Sequence, residues 1–428
     1  MNANKPKQFR VIACALALTA VALGQEPMNP AARLPKSTTE TKQNTEPPAK
    51  DQKQDTGELK EPVPTGTPAL SQYENQLKAI AEKFAPVFYQ RMAGTVEEHR
   101  YDFPTNFDFD GDWTGNNNWD HAADPKYKIH SHVYFAVTES EDHWFLYYAL
   151  YHMRDWSTVE KDYENVLDQL QEKFKDILEN GLRKEVEFNH ENDMEGVLLI
   201  VEKDARRPGE GNVVGMETVA HDYMLRAVDA DHTAWMRNWP NKMKRDLMQK
   251  ENGHPLVYVE SQKHGIHPYS GQKSNASLPI VQMRIGRSVE FAEIKDKTAT
   301  YDLIPLRTNI WSRARVTQEP NAMFGTVIKF ADKFCPIQGA KQPNCDLGTM
   351  GAAFFGQHDR INAALTPWAW EDKWDNTLEA GTWFLDPLAI LRDHFGNPNV
   401  DERYVYHSFL GIDETNFAKQ PNNGKGWK

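Results

Sequence analysis

Residues 144–151, Trp-Phe-Leu-Tyr-Tyr-Ala-Leu-Tyr, and residues 197–201, Val-Leu-Leu-Ile-Val, are apolar at every position. Strand side chains alternate between faces, so a run that is apolar on both parities belongs to a strand covered on both sides. Around these two runs the residue pattern predicts further strands at 132–138, 255–260 and 278–285. Together they imply a mainly β fold with a β-sandwich core. Between the two opening runs, Val159, Tyr163, Val166, Leu167, Leu170, Phe174, Ile177 and Leu178 recur at helical spacing. Ser157 with Glu160 makes a capping box, and Gly181 stops the run. A helical insertion at about 156–182 is therefore expected, giving an α+β chain overall. Helices are also expected at 73–84 and at 233–249, the latter broken by Pro240.

Further from this centre the composition changes. Residues 1–70 contain one aromatic, Phe9, and none of the 12 Trp or 15 His. Lys5, Lys7 and Arg10 precede an apolar run at 11–23 that ends in Ala22-Leu23-Gly24, so residues 1–24 read as a secretory signal. That run is too short to span a bilayer, and the mature protein is expected to have no transmembrane segment. Residues 25–70, rich in Pro, Thr, Lys and Glu, read as a disordered linker, leaving 71–428 as one elaborated domain. A secreted or periplasmic protein follows. In that setting Cys335 and Cys345 are expected to form one local disulfide.

A formal charge of −12 excludes a nucleic-acid binder held by a generally basic surface. The sequence has no G-x-S-x-G elbow, P-loop or dinucleotide fingerprint, which removes support for serine hydrolase, nucleotide hydrolase and Rossmann chemistry. Chemistry-bearing side chains gather instead beside the strand runs. His190-Glu191-Asn192-Asp193-Met194-Glu195-Gly196 leads into 197–201, Tyr151-His152-Met153-Arg154-Asp155 closes 144–151, and Ser261-Gln262-Lys263-His264-Gly265 follows 255–260. On an extended chain Asp193 and Glu195 share a face, and two carboxylates so placed repel unless a cation, a proton or an arginine joins them. His190 has the opposite parity and can join them only if residues 190–192 turn, which Asn192 permits.

Three other groupings have two readings each. Asp108 to Asn116 alternates carboxylates like the start of a calcium loop, but Trp113 stands where an EF-hand needs Gly, so an Asp/Gly/Asn turn is the other reading. His130 with His132, and His264 with His267, suggest zinc by spacing and hydrogen-bonded sheet-edge histidines by frequency. Trp368, Trp370, Trp374 and Trp383 suit either a core or a sugar-binding face.

The H-E-N-D-M-E-G segment, with the later V-E-S-Q-K-H-G, resembles the H-E-G-D-W-E and S-x-H-G elements of the vacuolar-sorting-associated family of plants and fungi. It also resembles the G-H-R-H-D-W-E element of the necrosis-inducing cytolysins, in which an aromatic strand ending in aspartate precedes the motif, as 147–155 does here. Met194 stands in place of the family tryptophan, and Ser261 lies one residue further from His264 than in the family pattern. The resemblance implies a central β-sandwich and a divalent-cation site with Asp155, His190, Asp193 and Glu195 around the ion and His264 beside it. It also implies recognition of a polar lipid head group.

Two functions are therefore expected. The first is secreted, cation-dependent recognition of a polar lipid head group or glycan, with calcium or magnesium placed ahead of zinc. The alternative is a metal-dependent hydrolase of an ester, phosphoester or glycoside, with Glu195, His190 or His264 as the catalytic group. Ligand type discriminates between them, because two or more histidines favour zinc and hydrolysis.

Overall fold

The computed structural model describes residues 72–156 and 190–412, apart from 222, 240–244, 275–277, 295–296, 315–322, 330–346, 357–363, 371–380, 398–399 and 401–402. The expected signal, linker, helical insertion and Cys335–Cys345 pair lie outside the described residues. The chain divides into two units, 1–63 and 64–428, and the second contains everything described below.

Its elements are α1 (Gln72–Phe84), β1 (Val87–Arg91), α2 (Asn118–Ala123), β2 (His132–Ser140), β3 (His143–Asp155), β4 (His190–Lys203), β5 (Gly211–Ala220), β6 (Tyr223–Val228), β7 (Asp246–Leu247), β8 (Lys250–Glu251), β9 (His254–Val259), β10 (Ile266–Pro268), β11 (Ile280–Ile285), β12 (Thr298–Pro305), β13 (Phe324–Lys329), β14 (Thr349–Phe354) and β15 (Tyr404–His407). The five expected strand runs are all strands, and the expected first helix is α1. Residues 230–238 form 3-10 turns, and 246–247 and 250–251 are short strands, where a broken α-helix was expected. Asp229 caps those turns by accepting from the His232 amide.

The mainly β expectation holds: the described strands form one long curled, mixed sheet in the order β10-β9-β1-β11-β12-β2-β3-β4-β5-β6-β7, with β15 on β2 and β8 on β9, and a separate antiparallel pair β13–β14. The meander β2 to β6 is antiparallel throughout. The parallel pairs β1–β9, β11–β12 and β12–β2 carry the sheet on beyond it. It curls until β10 also lies against β5 and β6.

β3 shows why the opening sequence run is apolar on both parities. Tyr148 faces α1 and donates its hydroxyl to the Ala81 carbonyl at 2.7 Å, while Tyr147 points the other way and donates to the Phe384 carbonyl at 3.1 Å. Each buried phenol thus carries its polar end to a backbone acceptor in the covering layer. That second layer combines aromatic side chains with the separate β13–β14 pair, whose Gly351 carbonyl accepts from Trp368 Nε1 at 2.6 Å. Trp368, Trp370 and Trp383 are buried in it, which realises the core reading for these three. Gly196 on β4 makes room for it, since a Cβ there would lie 2.6 Å from the Trp370 ring.

Among the described residues no helix is long and apolar enough to cross a membrane.

Candidate metal centre

The motif 190–196 does not precede β4 but forms its first half, because β3 and β4 pair in one register as far as Asp155 opposite His190, with a single gap at Asn192. This register places His152 opposite Asp193, and Leu150 opposite Glu195. The turn that His190 requires is present at Asn192, whose φ is 57°. Asparagine tolerates the left-handed region better than most residues, and here the side chain is fully used. Its Oδ1 accepts from Asn118 Nδ2 at 2.7 Å and from the Tyr151 hydroxyl at 2.5 Å, and its Nδ2 donates to the carbonyls of Gly115 and Phe355.

The third strand end arrives on the 260–265 loop, which joins β9 to β10. Gln262 and His264 both have positive φ, 69° and 52°, a strained choice for residues without asparagine's local hydrogen bonding. Asp102 holds the loop in place. This fully buried carboxylate accepts from the Gln262 amide at 2.6 Å, the Ala93 amide at 2.7 Å, Trp156 Nε1 at 3.2 Å and His264 Nε2 at 3.3 Å.

All three strand ends therefore meet. His152, Asp193 and His264 are buried with one ligand atom of each within 4.8 Å of the others. His264 donates from Nδ1 to Asp193 at 2.8 Å and stacks on His152 with ring centroids 3.7 Å apart and planes 3° from parallel. Neither ring nitrogen of His152 has a hydrogen-bond partner, although the residue is fully buried. Beside this group, His190 lies 3.5 Å from Asp155, and Lys263 makes an ion pair with the other Asp155 oxygen. Glu195, buried on the same strand, accepts the His221 amide at 3.0 Å through Oε1.

The electrostatics follow from burial and pairing. Burial, reinforced by the neighbouring Asp193 charge, raises Asp155 to about 6. Burial opposes the Asp193 charge too, but the hydrogen bond and charge of His264 outweigh it and hold that carboxyl at about 2. For His264, burial is overcome by its bonds to Asp102 and Asp193, which raise it to about 9. Burial first, and then the His264 charge, push His152 well below its ordinary value, leaving a neutral imidazole of the kind that ligates metals.

Sequence reasoning missed His152, Asp102 and Arg154. His152 was visible in the strand-end segment but carried no motif, and Asp102 sits on a distant 3-10 turn at Glu98–Asp102. Arg154, two residues beyond His152, lies over the rings of Tyr101 at 3.3 Å and Trp119 at 4.4 Å.

In the 108–116 segment both readings keep support: Asp110, Asp112 and His121 bring one ligand atom each within 4.8 Å of the others, and the same carboxylates bond within their turn. Asp110 and Asp112 accept backbone amides of their own turn from Asp112 and Thr114, Asp110 also meets His121, and Trp113 stacks on Phe107 with Arg313 3.5 Å from its ring. His132 bonds to the His130 carbonyl, and His267 to Glu260.

No protein-family model matches the chain, and no curated protein matches it. Among solved structures it is similar to a toxin fold for microbial attack and plant defense, at 14% identity over 46% of this chain and 71% of that one, with a TM-score of 0.26. NLPPya in complex with mannosamine aligns at 12% identity over 48% and 73%, with a TM-score of 0.26. Non-toxic HaNLP3 protein aligns at 14% identity over 61% and 88%, with a TM-score of 0.29. The structures that the chain aligns with are necrosis- and ethylene-inducing protein (NLP) structures, to which it bears a distant likeness.

Proposed function

We propose that the chain holds a divalent cation at His152, Asp193 and His264, with Asp155, His190 and Glu195 around it, and uses this centre to recognise a polar lipid head group or glycan outside the cell. One observation carries the reading: His152 is buried, neutral and without a partner on either ring nitrogen, beside Asp193 and His264. A buried polar group left unpaired costs roughly 1–3 kcal/mol, and a cation would take up the lone pair. The surroundings fit such an ion. Asp102 at His264 Nε2 fixes the proton on that nitrogen, so that Nδ1, on giving up its own proton, becomes a ligand backed by a carboxylate.

Two nitrogens and one carboxylate suit zinc or another transition metal better than calcium or magnesium, which moves the ion's identity away from the sequence expectation. The same donor set favours the second reading, a metal-dependent hydrolase, in which the ion would supply an activated water. Burial of all three donors favours recognition instead, because a hydrolytic centre keeps an open position for its substrate. His190 and Lys263 are more exposed than the three donors and would meet a ligand. A cation also offsets the acidic charge that would otherwise repel anionic head groups.

The test is an array of glycans and lipid head groups probed with and without chelator. Mannosamine and glucosamine are included because NLPPya is seen in complex with each. Recognition predicts chelator-sensitive capture, weakened by Glu195→Gln, with no product from ester, phosphoester or glycoside substrates. Metal-dependent turnover that Glu195→Gln abolishes while binding persists would establish the hydrolase. Export and the Cys335–Cys345 bond belong to the same proposal, and alkylation of the unfolded, unreduced protein that finds two free thiols removes the bond.

A further inference from the structure

A second feature of the cluster concerns its lysine. We propose that Lys263 is a tethered competitor for the cation: its ammonium occupies the Asp155 carboxylate at the rim of the centre, and a divalent ion gains Asp155 only when Lys263 leaves it. This rests on the reading of His152, Asp193 and His264 as a cation centre.

Lys263 immediately precedes His264, so one loop delivers both the candidate ligand and the competing charge. The loop backbone is fixed at both sides of the lysine. The Gln262 amide is held by Asp102, the Gln262 carbonyl accepts the Trp156 amide at 3.1 Å, and the Glu260 amide donates to the Gly265 carbonyl at 3.0 Å. The Lys263 side chain is 30% exposed while Asp155 is 10% exposed, so the ammonium reaches the carboxylate from the solvent side and has a route back to it. A flexible four-carbon stem with a compact charge suits that exchange.

Asp155 is also fully subscribed as it stands. One carboxylate oxygen pairs with Lys263 and the other faces His190 at 3.5 Å. An arriving cation would therefore find one oxygen taken and a like charge beside it, and removing the lysine removes both obstacles.

The experiment titrates the full chain with zinc chloride, and separately with magnesium chloride, by calorimetry. Four forms are compared: wild type, Lys263→Met, Lys263→Arg and Asp193→Ala. The methionine keeps the apolar stem and removes the charge, while the arginine keeps the charge. The expected result is zinc affinity at least tenfold higher in Lys263→Met, unchanged within threefold in Lys263→Arg and lost in Asp193→Ala. In an Asp155→Asn background the Lys263→Met gain should disappear, because the two residues act through one contact. Equal or weaker zinc binding in Lys263→Met, with wild-type binding that depends on Asp193, overturns the competitor and leaves the centre standing. A gain that persists in Asp155→Asn overturns it as well. No zinc binding in either wild type or Lys263→Met, with circular dichroism unchanged, overturns the centre and the competitor together.

Discussion

Asn192 is the residue on which the site turns. Its left-handed backbone lies between two pairs of one unshifted β3–β4 register, His190 opposite Asp155 at the strand end and Asp193 opposite His152. Four hydrogen bonds hold it there, each with a net worth of about 1 kcal/mol. Asn192→Ala is expected to cost about 3 kcal/mol in urea unfolding, and Asn192→Gly somewhat less because glycine relieves the backbone. A cost below about 0.5 kcal/mol, the range of ordinary surface changes, would show that the turn does not depend on the side chain. The need for a turn at 190–192 was readable from parity, and spacing placed polar groups at three strand ends without showing that they converge. His152 and Asp102 were not, because a lone histidine on an aromatic strand and an aspartate 91 residues before Asp193 acquire meaning only through β3–β4 register and the loop that Asp102 pins.

At the scale of elements, β4 is held between α1's side of the sheet and the tryptophan layer, and its centre tolerates little change. Leu198→Ala, a fully buried change, is expected to cost about 2–5 kcal/mol, whereas Leu247→Ala on the exposed strand β7 should stay within about 0.5 kcal/mol. Gly196→Ala adds a methyl against Trp370 and should cost about 1–3 kcal/mol, with an altered tryptophan emission spectrum. Unchanged stability and emission would mean that the aromatic layer is not packed on this strand. Strands with dense apolar runs were legible because burial on both faces leaves a mark in sequence. β5, with Gly215 and Glu217 among its valines, and β12, with alternating polar residues, carry a weaker signal and were missed. The curled continuation of the sheet was not legible for a related reason, since parallel pairings such as β12–β2 join segments far apart in sequence and leave no local pattern.

For the whole molecule, titration of buried histidines sets a stability maximum near neutrality. Burial lowers His143 and His407 from 6.5 to about 4, so the unfolded chain binds more protons between those values, and their stabilisation is present above pH 6.5 and lost as pH falls toward 4. For fully buried His407 this is on the order of 3 kcal/mol. His264 has the opposite sign. Its value, raised to about 9, gives stabilisation present below pH 6.5 and lost as pH rises through 9. Thermal melts in chelator should therefore peak near pH 6.5 and fall on both sides, and a flat profile from pH 4 to 9 would contradict the assignment. The most direct test of the cation centre is elemental analysis of the purified protein, wild type beside His152→Ala and Asp193→Ala. One transition-metal ion per chain in the wild type, absent from Asp193→Ala and reduced in His152→Ala, is the expected result. Metal absent from a wild type that still takes up none from added zinc, or content unchanged in both variants, would contradict it.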